Sequence, residues 1–316
     1  MDDEPNVTYI TLHVYVDVHK YKYLYFCITF IVYILIICFN VTIVCLIWSQ
    51  KNLHEPMYIF IAALLLNSVL FSTSVYPKLL IDFLSDKQII SYSACLLQFF
   101  LYYTLSSSEF LLLSVMSYDR YVSICKPLRY PTIMRKTRVS VLLVSAWSVP
   151  ACHVAVTVML VTQSKMCSFS MKGLFCNNVI YELLCVQSRA LTIYGVVALI
   201  DLVVIPVLFI IFTYTKILVI AYRSSREVRK KAAETCLPHL IVLFSFSCLS
   251  VYDISIARVE SNLSTTARLI MMLQVILYHP LFNPLIYGLK MKEVSKHLKR
   301  MFCPANNKLL DIFCFQ

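Results

Sequence analysis

Carboxylates inside long apolar runs are the first groups in this sequence that could do chemistry. Glu109, Asp201 and Asp253 each interrupt a hydrophobic stretch. In hydrocarbon such a group must be protonated, paired, hydrated or turned toward a polar cavity, so it marks an ion path, a ligand counter-charge or an internal network. Asn40, Asn67 and Asn283 place one amide in each of three further apolar runs. A buried amide needs partners, and supplying them joins helices. Gln98, Tyr102, Ser106 and Glu109 recur at spacings of three or four, which sets them on one helix face. A polar stripe facing lipid would be costly, so this one is expected to face other helices, with Tyr102 to Ser106 as a pocket wall and Glu109 in a deeper network. Tyr103 and Ser107 lie beside it. No nucleophile, base and orienting group stand at a recognisable spacing, and His153 reads as a packed or interfacial histidine; no enzyme is expected. The 13 cysteines include no pair with zinc-ligand spacing, and the 3 glycines leave little for a phosphate-cradling loop, so neither metal nor cofactor is expected.

These groups need elements to hold them, and the composition says which. Hydrophobic residues make up 59% and charged residues 14% of the 316-residue chain, against about half and a quarter in soluble domains. Lipid is therefore the solvent for most of it. Seven apolar runs each approach the roughly 20 residues that cross about 30 Å of hydrocarbon. They predict an all-α membrane protein, a seven-transmembrane helix bundle with helices at about 24–48, 57–84, 89–125, 138–163, 190–222, 232–256 and 267–289. Residues 1–23 precede the bundle, and residues 290–316 form a tail that opens with a short amphipathic helix.

Basic residues orient the bundle. The loops after the first, third and fifth helices, with the tail, hold seventeen Lys and Arg; the opposite side holds nine. By the positive-inside rule the tail is cytoplasmic and the N-terminus extracellular. The net charge of +11 is spread between apolar runs rather than gathered on one face, which argues against nucleic acid as a partner. The chain opens Met1-Asp2-Asp3-Glu4, without a secretory signal pattern, so the first helix is expected to direct its own insertion. Asn6-Val7-Thr8 is an external glycosylation acceptor, Asn262-Leu263-Ser264 a weaker one, and Asn40-Val41-Thr42 is discounted inside a helix. Four cysteines fall outside: Cys95, Cys167, Cys176 and Cys185. They permit three connectivities, and spacing does not choose among them.

At the end of the third helix the chain reads Met116-Ser117-Tyr118-Asp119-Arg120-Tyr121-Val122-Ser123-Ile124-Cys125. This resembles the odorant-receptor form of the Asp-Arg-Tyr motif of rhodopsin-like G-protein-coupled receptors. Leu53-His54-Glu55-Pro56-Met57-Tyr58, Lys126-Pro127-Leu128-Arg129-Tyr130, Trp147, Lys231-Ala232-Ala233-Glu234-Thr235-Cys236-Leu237-Pro238-His239 and Asn283-Pro284-Leu285-Ile286-Tyr287 follow the family's order at the right helices. The Asn67-Ser68 version of the second helix and the Pro238-His239 pair look most like fish odorant receptors. There are departures: Ser68 stands where rhodopsin-like receptors usually carry an aspartate, and Phe246-Ser247 where most carry a tryptophan switch.

The resemblance implies a receptor that binds a small odorant in the outer half of the bundle and activates a heterotrimeric G protein of the olfactory stimulatory type, raising cyclic AMP. The setting would be the plasma membrane of an olfactory sensory neuron, with lipid as a further partner. It pairs Cys95 with Cys176 and Cys167 with Cys185. It gives Asp119, Arg120 and Tyr121 the coupling role, in place of simple snorkelling of Arg120 to lipid phosphates. Asn283, Pro284 and Tyr287 become the activation hinge, and Asn40, Asn67 and Glu109 an internal polar network. Many relatives carry an acid near the inner end of the sixth helix; here Arg229, Lys230 and Lys231 stand there, so a weak resting clasp is expected unless Glu234 substitutes. Cys303, after Lys299 and Arg300, is a site for a palmitoyl anchor. Tyr102, Tyr103, Ser106 and Asp201 are candidates for the ligand pocket, and Asp201 has two readings: a protonated or hydrogen-bonded acid between helices, or a counter-charge or acceptor for a polar, amine-bearing odorant held against Tyr102 and Ser106. A non-olfactory rhodopsin-like receptor for another small ligand is the nearest alternative. A transporter is a different class; the intramembrane acids are its support, and the lack of internal repeats speaks against it.

Overall fold

A computed structural model describes residues 9–12, 18–186, 188–223, 226, 230, 236–237, 239–248 and 265–302. Asn6, Arg229, Lys231, Glu234, Pro238, Asp253, Asn262 and Cys303 lie outside these residues, as does the second part of the sixth run.

Eight helices carry the described fold: α1 (Val18–Ser49), α2 (Pro56–Leu84), α3 (Tyr92–Cys125), α4 (Lys136–Thr162), α5 (Arg189–Tyr222), α6 (His239–Cys248), α7 (Thr265–Lys290) and α8 (Lys292–Phe302). The first five are long and apolar enough to cross a membrane. With α6 and α7 they make the seven-helix bundle, and α8 is the amphipathic helix beyond it. α3 is the axle: it packs on α2, α4 and α5, while α7 closes the far side against α1 and α2. α4 and α5 instead turn large apolar side chains outward, among them Val141, Val144, Ile193, Leu208 and Phe212. Such helices suit lipid, which does not penalise an apolar exterior.

Local chemistry sets the helix limits. Pro56 opens α2, where its missing N–H costs nothing. Ser91 caps α3, its side chain accepting from the Ala94 N–H at 3.3 Å. That cap corrects the reading of a helix from residue 89: Ile89–Ser91 is a strand, β2. It pairs antiparallel with β1 (Tyr9–Leu12), which also pairs in parallel with β3 (Ser170–Met171). α1 likewise starts before residue 24, with non-helical backbone at Tyr21. The small sheet buries Ile10, Leu12, Ile90 and Met171 over the end of α3, α4 and α5 that carries the disulfides.

Proline interrupts the backbone hydrogen-bond ladder in α5 and in α7. α5 contains a π turn at Ile200–Val204, directly before Pro206, whose absent N–H leaves the Leu202 carbonyl without its usual partner. In α7, Pro280 frees the carbonyl of Ile276 and Pro284 frees that of Pro280. Both find side chains from other helices: the Tyr76 hydroxyl reaches Ile276 O at 3.5 Å, and Asn40 Nδ2 donates to Pro280 O at 2.8 Å. The proline-bearing stretch of α7 is thereby tied to α1 and α2. Gly288 allows the close approach farther along, since a Cβ there would meet Ile43 at 3.2 Å and Leu298 at 3.3 Å.

Candidate functional site: one helix linking two ends

At the disulfide end, Cys95 of α3 is bonded to Cys176, and Cys167 to Cys185. The loop between α4 and α5 is therefore pinned onto α3 and stapled on itself. Gln98, one turn below Cys95, adds a second pin: its Oε1 accepts from the Cys176 N–H at 3.0 Å, and its Nε2 donates to Ser74 O of α2 at 3.1 Å. Tyr103 adds a third, its hydroxyl accepting from the Asn178 N–H at 3.0 Å. Tyr181 of the same loop is covered well enough that burial pushes its phenol up to about 12.

Beneath this roof the side chains are aromatic. The Tyr102 ring centroid stands 5.2 Å from Phe71, 5.1 Å from Phe175 of the loop and 5.0 Å from Tyr103. Val75, Tyr76, Leu105 and Ile276 complete this apolar cluster. Ser106 is half-buried one turn farther along α3. The cluster is packed ring against ring, with the loop residue Phe175 closing it from the disulfide end.

The middle of the bundle holds the amides. Asn283 Nδ2 donates both hydrogens, to Glu109 Oε1 at 2.9 Å and to Ser68 Oγ at 3.1 Å, joining α7 to α3 and α2. Ser68 thus occupies the aspartate position as a working acceptor. Asn67 donates to Leu105 O at 2.9 Å and accepts from Trp147 Nε1 at 3.1 Å, so α2, α3 and α4 meet there. With Asn40 on Pro280, each of the amides Asn40, Asn67 and Asn283 is engaged across helices.

At the opposite end, Asp119 is fully buried and uses both oxygens. Arg120 donates to Oδ2 through Nε at 3.1 Å and a terminal nitrogen at 2.5 Å. Tyr130, in the helical turn Tyr130–Ile133, donates to Oδ1 at 2.8 Å. Burial, then the neighbouring Asp119 charge, pushes the Tyr130 phenol above its ordinary range, so it remains a donor at neutral pH. The Lys126 ammonium lies over the Tyr121 ring at 5.7 Å. Next to this group the Tyr287 hydroxyl meets His239 Nδ1 at 3.2 Å, tying α7 to α6.

Most of the predicted residues thus collect along α3 and its contacts. Asp201 does not join them: it is exposed on the π turn of α5 and has no hydrogen bond or ion pair among the described residues. Sequence reasoning missed Tyr130 and Gln98 as clamps and His239 as the partner of Tyr287. Tyr130 and His239 stood inside the motifs quoted above, and Gln98 stood on the polar stripe, so the signals were present without their partners.

The olfactory receptor family matches residues 26–305. Human olfactory receptor 11A1 is 33% identical over 309 residues, covering 96% of this chain and 97% of the relative. Human olfactory receptor 13C2 is 32% identical over 290 residues, covering 89% and 91%. Squid rhodopsin shares the fold, with a TM-score of 0.71, 18% identity and coverage of 93% of this chain and 90% of that one. A seven-helix bundle matched by this family over most of its length is a multi-pass plasma-membrane receptor rather than an enzyme, and the chain belongs to the olfactory receptor family.

Proposed function

We propose that this olfactory receptor binds small odorants beside Tyr102, Tyr103 and Ser106 at the disulfide end, and couples to a G protein through Asp119, Arg120 and Tyr121 at the other. The observation that carries the reading is that α3 runs from one to the other. It presents Tyr102 under the pinned loop and Arg120 in its clasp, with Glu109 bonded to Asn283 of α7 between them. A ligand that rearranges the aromatic cluster acts on a helix held at three levels, and the weakest polar clasp yields where a partner waits. Orientation follows the basic residues: the disulfide end faces outward, where thiols oxidise, and α8 lies against the cytoplasmic leaflet. The stimulatory olfactory G protein, cyclic AMP output and an olfactory-neuron setting complete the reading. The test is cyclic AMP in cells expressing the chain, against a panel of odorants. Tyr102→Ala should lower potency at least about tenfold, a loss of about 1.4 kcal/mol or more of ring contact, with surface expression retained. Unchanged potency for every agonist would remove Tyr102 from the site.

A further inference from the structure

Asp82, near the end of α2, is a buried acid that neither cluster along α3 uses, and it is only 4% exposed. Lys78 donates to its Oδ1, while Oδ2 is buried and has no hydrogen-bond partner among the described residues. The Gln88 amide is engaged elsewhere, its Nε2 donating to the carbonyls of Asp82 at 3.2 Å and Ser85 at 3.0 Å. A buried carboxylate oxygen without a donor is destabilising, and folded chains rarely keep one without a use. Its placement points to that use. Ser68, Ser72, Val75, Leu79 and Asp82 recur at spacings of four and three and are all buried, so they form one inward stripe of α2. Ser68 on that stripe meets Asn283 of α7, and Val75 and Leu79 belong with Tyr102 and Phe175 to the aromatic cluster. Asp82 therefore stands on the cluster's side of α2, about 10 Å along the helix from Val75 toward the disulfide end.

We propose that Asp82 Oδ2 is the polar subsite of the odorant pocket, accepting a hydrogen bond from the headgroup of a ligand whose apolar body lies against Tyr102. The subsite rests on the reading that odorants bind beside Tyr102. Lys78 already balances the carboxylate charge, which selects a neutral donor as the headgroup. A cation would bring a second positive charge beside the Lys78 ammonium, and an ether or ester would set an acceptor against an acceptor. A neutral O–H satisfies Oδ2 and leaves the ion pair in place. The span of about 10 Å between Val75 and Asp82 suits an elongated alcohol, its hydroxyl outermost and its chain among the rings.

The experiment is a cyclic AMP dose–response to n-octanol and to its methyl ether, which share the chain and differ in the donor. It is run on the parent, Asp82→Ala and Tyr102→Ala at matched surface density. In the parent the alcohol should act at a concentration about tenfold or more below that of the ether, as one hydrogen bond to a charged acceptor implies. Asp82→Ala should bring the two together by weakening the alcohol alone, whereas Tyr102→Ala should weaken both and keep their ratio. Equal potency of alcohol and ether in the parent, silence toward both, or a ratio that survives Asp82→Ala overturns the subsite. Potencies that Tyr102→Ala leaves untouched would instead overturn the placement of the body beside Tyr102 while the Oδ2 subsite stands, so the two failures are told apart. Should Asp82→Ala strand Lys78 and stay inside the cell, the double variant Lys78→Met with Asp82→Leu removes both charges together and is read the same way.

Discussion

Asp119 has two carboxyl oxygens and gives each a different partner, which makes the clasp at this end of α3 divisible by mutation. Arg120 takes one oxygen and Tyr130 the other. Tyr130→Phe keeps the ring and removes only its donor to a fully buried carboxylate. Losing about 1 kcal/mol of resting-state bonding should raise basal cyclic AMP about fivefold with little change in surface expression. Unaltered basal signalling would place Tyr130 outside the switch. Asn40→Leu acts differently, because it orphans the Pro280 carbonyl that Pro284 has already deprived of a backbone donor. A buried unpaired carbonyl costs about 1–3 kcal/mol, so the purified variant should unfold at a visibly lower temperature in a detergent melt. An unchanged melting curve would mean that the carbonyl finds another donor.

The element that matters most at the disulfide end is the loop between α4 and α5, and its hold on α3 is layered. The Cys95–Cys176 bond is covalent, whereas Gln98 adds hydrogen bonds to both the loop and α2. Gln98→Leu should therefore leave the disulfide and surface expression in place while loosening the roof over Tyr102. Agonist potency should fall about tenfold without loss of maximal response; a lost maximum at normal expression would assign Gln98 to signal transfer instead. At this scale the sequence was partly legible. Uncharged runs marked the helices because hydrocarbon admits nothing else, and the polar stripe from Gln98 to Glu109 marked the inward face of α3. The strands were not legible. Tyr9–Leu12 and Ile89–Ser91 are too short for a period-two pattern, and they pair across some eighty residues of sequence. The π turn at Ile200–Val204 was hidden as well, since an extra residue in a helical turn leaves no mark in an apolar run. Four external cysteines could not pair themselves by spacing, and only the family resemblance suggested the arrangement that the folded chain displays.

Across the whole molecule, two distant clusters are joined by shared helices. The aromatic cluster at Tyr102 and the clasp at Arg120 share α3, while Asn283 on Glu109 and Ser68, and Tyr287 on His239, carry the connection through α7 to α6. The seven-helix plan was readable from the apolar runs and the family from the motifs, but these cross-helix partners were not, because a buried amide announces a need for partners without naming them. If the plan is right, the coupling end can be disabled without touching the ligand end. The most direct measurement is an odorant dose–response of cyclic AMP for the parent chain and Arg120→Ala at equal surface density. A saturable response is expected in the parent and none in Arg120→Ala. A full response from Arg120→Ala at normal surface density would contradict it.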